Sequence, residues 1–111
     1  MHLIEIKNGE LIETLQARLA ELDIANGAIV SLIGGVDSFR LSTMPAADAT
    51  KDIVTDYDVP AEMTGTGEIV NGAPHIHVVM AIEGDKGVSG HLHAATVGTW
   101  FANVYVVPLD A

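Results

Sequence analysis

The sequence predicts an α+β domain in which a mixed, mainly antiparallel β-sheet packs with one main α-helix. Three observations predict it. One segment near the start carries helical periodicity, while almost every later segment alternates or forms a short apolar run. Glycine-containing turn signals separate those segments at short intervals. The chain has 111 residues and is 49% hydrophobic, enough to bury one core but too short for two, so a single domain over 1–111 is expected.

The elements follow in order. "MHLIEI" alternates as a first strand and ends at Asn8-Gly9. From Glu10 to Ile24 the leucines at 11, 15, 19 and 22 recur at helical spacing, with Ile12 beside them. Glu10 and Glu13 fall in the first turn, where the helix dipole favours anions, and Asn26-Gly27 supplies a left-handed stop. "AIVSLIGGV" reads as a strand covered on both faces and broken at Gly34-Gly35, followed by the alternating "DSFRLSTM". A polar connection, "PAADATK", leads to a weaker strand, "DIVTDYDV", stopped by Pro60. The glycines of "EMTGTGEIV" mark a bulge or a close backbone approach. Asn71-Gly72 signals a hairpin into "PHIHVVMAIEG", and "GDKG" turns the chain into "VSGHLHAATVG". "TWFANVYVV" closes the sheet as a long strand ended by Pro108, with Trp100 and Phe101 on opposite faces, one in the core and the other over a subunit contact.

Charge narrows the function. Fifteen acidic residues face five scattered basic ones, for a formal charge of −10. Affinity for nucleic acid comes largely from Lys and Arg neutralising phosphates, so this acidic chain is not expected to bind DNA or RNA directly. Anionic membranes are disfavoured for the same reason, and no apolar run approaches the roughly 20 residues of a membrane span. The start lacks the pattern of a signal peptide, and there is no cysteine, which excludes disulfides and thiolate zinc sites. A cytoplasmic location is the expectation.

Four of the five histidines fall within residues 74–93, as His75/His77 and His91/His93. Alternation puts each pair on one face of its strand, about 7 Å apart along it. Whether the pairs converge depends on the hairpin. A two-residue turn at Asp85-Lys86 would pair Met80 with His91 and separate them. An odd loop, or a bulge at Gly84, Gly87 or Gly90, would bring all four to one face. Converging neutral imidazoles suit divalent transition metals such as zinc, copper, nickel or iron. Three nitrogens with an open fourth position is the arrangement of catalytic zinc. The alternatives are histidines hydrogen-bonded at a subunit interface and plain surface residues. Glu83 shares their parity but stands about 20 Å from His77 along an ideal strand, too far to coordinate. It follows His77 by six residues, a spacing that departs from the cupin motif. Ser89 is not read as a nucleophile paired with His91, on the expectation that the two face opposite ways. Asp48, Asp52, Asp56 and Asp58 lack the glycine and closing glutamate of a calcium loop and read as a solvated face.

With "GAPHIHVVMA" at 72–81, "GVSGHLHAATVG" at 87–98 and the N-terminal helix and apolar strand in place, the chain resembles the plants-and-prokaryotes-conserved (PPC) domain family, in its bacterial single-domain form without an AT-hook. The resemblance implies a homotrimer and a histidine cluster able to hold a metal. His75, His77 and His91 match the family pattern and are the implied ligands, with zinc the first expectation. His93 departs from the pattern and would be either a fourth ligand or a group behind the other three. Ser89 and Ala95 depart from it as well. The leading expectation is a small cytoplasmic, homotrimeric metal-binding module, with a regulatory role among those open and its small-molecule ligand unassigned. The alternatives are a metal-dependent enzyme with a three-histidine site and a DNA-associated regulator acting through partners. Whether a reaction is catalysed stays open at this stage.

Overall fold

Alternating side chains and short turns build nine strands around one helix in the computed structural model, which describes residues 1–110. Ala111, included in the expected domain, lies outside the described residues. The chain runs β1 (His2–Ile6), β2 (Gly9–Glu10), α1 (Leu11–Glu21), β3 (Gly27–Val36), β4 (Ser38–Thr43), β5 (Ile53–Tyr57), β6 (Ala61–Val70), β7 (Ala73–Ile82), β8 (Lys86–Val97) and β9 (Ala102–Pro108). The sheet order is β1-β9-β3-β6-β7-β8-β4-β5, and every pairing among the described strands is antiparallel. Thr96 of β8 pairs with Glu10 on one edge and Ser38 on the other, so β2 continues the β8 edge that β7 leaves. The helix packs against β8, β1 and β7.

Helix α1 buries Leu11, Leu15 and Leu19 against the sheet. Together with Ile4, Ile29, Leu32, Ile76, Met80 and Val104, they form a core of side chains with almost no exposure. Glu10 precedes the helix as its N-cap rather than lying in its first turn. Its carboxylate accepts hydrogen bonds from the amides of Ile12 and Glu13, and a third from Ala95 of β8. One side chain thereby satisfies two orphan helix donors and ties the helix to β8.

The helix stops earlier than the Asn26-Gly27 signal implied. Asp23 takes the left-handed conformation (φ 56°). Ile24 donates to the Leu19 carbonyl and Asp23 to that of Ala20, the double bond of a Schellman cap. Gly27 instead starts β3. Nor does Gly34-Gly35 break that strand, which continues to Val36. These glycines are needed because another segment lies against them: a Cβ on Gly34 would stand 2.0 Å from the Phe101 carbonyl oxygen, and one on Gly35 about 3.0 Å from the Trp100 ring. Because residues 100–101 cross over β3 there, β9 begins only at Ala102, and neither aromatic fills the core. Trp100 is 65% and Phe101 40% exposed.

The β6–β7 hairpin follows its turn signal: Asn71 and Gly72 both have positive φ, and Val70 pairs with Ala73. The connection from "PAADATK" leads to β5 as a solvated edge strand, joined to β4 by an exposed ion pair between Arg40 and Asp56 (2.6 Å) and by stacking of Phe39 on Tyr57. Among the described residues, no helix is long and apolar enough to cross a membrane.

Candidate metal centre

The histidine pairs converge because of the β7–β8 loop. Ile82 pairs with Lys86, leaving three residues, Glu83 to Asp85, outside the ladder. The odd length keeps the register in step down to the direct cross-strand pair His77↔His91, with no bulge at Gly84, Gly87 or Gly90. Gly84 and Asp85 supply the left-handed backbone that the turn requires. Ile76, Val78 and Met80 then point into the core while His75 and His77 point away from it.

His93 shares that face with His91 by alternation along β8. Between β4 and β8 the pairing runs Leu41↔Leu92 and then Arg40↔Ala94, a bulge that leaves His93 without a partner of its own. Leu92 before it and Ala95 after it are both buried, so the bulge changes which residues face inward. His93 stays beside His91.

The four rings make a tight cluster. Centroids lie 4.9 Å apart for His75–His77, 5.1 Å for His75–His91, 5.8 Å for His77–His91 and 4.7 Å for His91–His93. One nitrogen each from His75, His77 and His91 can be chosen so that all three lie within 4.8 Å of one another. Around a tetrahedral zinc with bonds of about 2.0–2.1 Å, nitrogens stand about 3.3 Å apart. The difference of roughly 1.5 Å is within reach of χ rotations of partly exposed rings. The donor set therefore fits a metal ion, and a clustered three-histidine site capable of coordinating one is present.

Electrostatics favour the same use. Burial, followed by the neighbouring His93, His75 and His77, pushes the His91 pKa below the ordinary imidazole value, with Asp52 opposing. An imidazole kept neutral offers its lone pair to a metal. Glu68 lies across from His75 in the β6–β7 ladder, with its Oε2 3.3 Å from His75 Nδ1, a contact that orients the ring. His93 Nε2 lies 2.8 Å from the hydroxyl of Ser42, a buried residue of β4.

The histidines line a concavity of about 950 Å³ whose walls include Ser42, Asp52, Thr64, Thr66 and Ser89. Two expectations change here. Ser89 and His91 are two apart on one strand, so they share a face and both line the concavity, although no hydrogen bond joins them among the described residues. Asp52 does not belong with a uniformly solvated acidic face. It lines the site, whereas Asp56 pairs with Arg40 and Asp48 binds the amide and hydroxyl of Thr50. Ser42, Thr64 and Thr66 had no local signal, since only strand pairing brings them to the histidines.

The backbone beneath the site is unusually close. A Cβ on Gly67 would stand 2.2 Å from the His75 carbonyl oxygen, and one on Gly65 2.5 Å from that of His77. The glycines read as marking a bulge or a close approach serve both purposes, because the β3–β6 register also shifts between Ile29↔Gly67 and Leu32↔Gly65.

Three comparisons bear on this architecture. Residues 1–109 match the Plants and Prokaryotes Conserved (PCC) domain. A comparison with curated proteins finds no match. Among solved structures, the chain is similar to a candidate DNA-binding protein from Ralstonia eutropha JMP134, with 21% identity and a TM-score of 0.82 over 97% of this chain and 77% of that one. It is similar to a metal-containing protein from Archaeoglobus fulgidus, with 24% identity and a TM-score of 0.77 over 99% and 79%. It also resembles a plant- and prokaryote-conserved (PPC) protein from Pyrococcus horikoshii, with 18% identity and a TM-score of 0.75 over 99% and 78%. At these identities the structural likeness establishes the fold, and the family match spans all but the last two residues. The chain belongs to the Plants and Prokaryotes Conserved (PCC) domain family.

Proposed function

We propose that residues 1–111 act as one PPC-type domain, a cytoplasmic homotrimeric module that holds a divalent transition metal, zinc first among them, on His75, His77 and His91. One observation carries the reading: three imidazole nitrogens within 4.8 Å of one another at the floor of a concavity. The name of the Archaeoglobus relative as a metal-containing protein supports it. A zinc ion there would supply a Lewis acid in a partly enclosed site. The chain's own residues hold and orient it, with Glu68 setting the His75 ring and burial keeping His91 neutral.

Association is supported by the sheet face turned away from the helix. Leu3 and Ile33 are each 54% exposed on that face, where β1, β9 and β3 lie side by side. Direct DNA binding is not part of the proposal, despite the name of the Ralstonia relative. The formal charge is −10, and three of the five basic residues are engaged by carboxylates: Lys7 by Glu5, Arg18 by Glu21 and Arg40 by Asp56.

The concavity favours a second reading, a metal-dependent enzyme, because a purely structural metal has no need of an open wall. Untagged protein should contain about one transition metal per chain by elemental analysis. Light scattering should give three chains per particle. Protein that binds no metal at neutral pH would refute the site, and a monomer at micromolar concentration would refute the assembly. A His77→Ala variant that loses metal but keeps its oligomeric state would place the metal in ligand handling rather than assembly.

A further inference from the structure

We infer that Ser42 holds His93 out of the coordination sphere, so that the site takes three protein ligands and keeps a fourth position for a small exogenous ligand. The inference rests on the reading of His75, His77 and His91 as ligands and deepens it. Distance alone does not exclude His93, whose ring lies 4.7 Å from that of His91, closer than the three candidate ligands lie to one another. Yet His93 contributes no nitrogen to the three-membered cluster.

The difference is its partner. His93 Nε2 is bonded to Ser42 Oγ at 2.8 Å, and Ser42 is only 6% exposed. A hydroxyl with so little exposure gains from keeping its hydrogen bond, so the ring is tethered by a group with few other partners. The tether is also rigid. Gly90 packs so closely on β4 that a Cβ there would stand 2.5 Å from the Ser42 carbonyl oxygen. Alternation along β8 places His93 beside His91, and Ser42 anchors it to the wall.

A fourth imidazole would close the site, whereas three leave it open. The concavity fits the open form, with room for a small molecule and the hydroxyls of Thr64, Thr66 and Ser89 beside the metal position. Among the described residues no lysine or arginine lines it, and Asp52 does, so the walls add no positive charge to the metal's own and favour a small oxygen or nitrogen donor over a phosphate or polycarboxylate.

Cobalt(II), whose visible bands report coordination, tests this with imidazole as the probe ligand. Wild-type protein should bind cobalt, and added imidazole should shift the bands. His93→Ala should bind cobalt with affinity within about three-fold of wild type, since loss of a true ligand, or of a group that orients one, costs about 10–100-fold. Ser42→Ala should free His93 to coordinate, raising cobalt affinity and abolishing the response to imidazole, and Ser42→Ala/His93→Ala should restore that response. A drop of ten-fold or more in His93→Ala would make His93 a ligand and overturn the inference. So would a Ser42→Ala variant indistinguishable from wild type. Should Ser42→Ala not fold, His93→Ala at its exposed position still decides. Wild type that binds cobalt but ignores imidazole overturns the open position alone, whereas wild type that binds no cobalt overturns the metal reading beneath it.

Discussion

Gly67→Ala should damage both the fold and the site, although Gly67 contributes no side chain to either. Its added Cβ would stand 2.2 Å from the His75 carbonyl oxygen and 3.0 Å from Ile76 Cα, against an ordinary contact of at least 3.4 Å. Strands β6 and β7 must then part by about 1.2 Å, because the obstructing atoms are backbone and cannot rotate away. Overpacking of this kind costs about 1–3 kcal/mol. With an unfolding entropy of about 2.1 cal/mol/K per residue, a chain of this length loses about 4–13 °C in Tm. The displaced residue is His75, and ligands must be held to within about 0.5 Å, so metal affinity should fall at least about ten-fold. Circular dichroism melts and cobalt titration read the two effects. Gly87→Ala is the control, since its Cβ would meet only Val79 Cγ1 at 3.4 Å and should change stability by less than about 0.5 kcal/mol. A Gly67→Ala protein that melts within about 2 °C of Gly87→Ala and binds cobalt equally would refute the steric reasoning.

Glu10→Ala removes an N-cap and leaves the amide of nearly inaccessible Ala95 unpaired, so chemical denaturation should show a loss of about 2–4 kcal/mol. Glu10→Gln keeps one acceptor oxygen and should fall between Ala and wild type. In metal-free protein, the depressed His91 pKa means that the unfolded chain binds a proton the folded chain refuses. His91 therefore lowers stability as pH falls from about 6.5 through its folded pKa, and His91→Gln should flatten that part of a urea-midpoint profile. Free zinc at about one hundred times its dissociation constant should stabilise the fold by about 2.7 kcal/mol, near 12 °C in Tm. A chelator should reverse this, and His77→Ala should show no zinc-dependent rise.

What the sequence made legible was local. Alternation assigned His75 and His77 to one face, Asn71-Gly72 marked its hairpin, and the leucine spacing placed α1. Convergence of the two histidine pairs, however, turned on a single residue of loop length. "EGDKG" accommodates a two-residue turn at Asp85-Lys86 as readily as the three-residue loop at Glu83–Asp85, and the choice belongs to the packing of Ile76, Val78 and Met80 against Leu92 in the core. The misplaced helix stop and the strand break at Gly34-Gly35 have a common cause. Glycine reports permissiveness, and close neighbours from distant segments can require it as well as a turn.

That division between local and non-local has a consequence for function. The donor atoms lie within one hairpin, so the motif that carries family resemblance can hold its geometry while the rest of the chain varies. Everything that decides what else enters the site arrives through long-range pairing: Ser42 by the β4–β8 register, Thr64 and Thr66 from β6, and Asp52 from the segment before β5. Ser42 and His93 are 51 residues apart and depend on each other, one for burial without penalty and the other for its position. Ser42→Ala should therefore raise the number of protein ligands at the centre, whereas His93→Ala should leave it at three, with the three candidate donors untouched in both. In this architecture the hairpin determines whether a metal binds, and the neighbouring strands determine whether that metal has an open position to use.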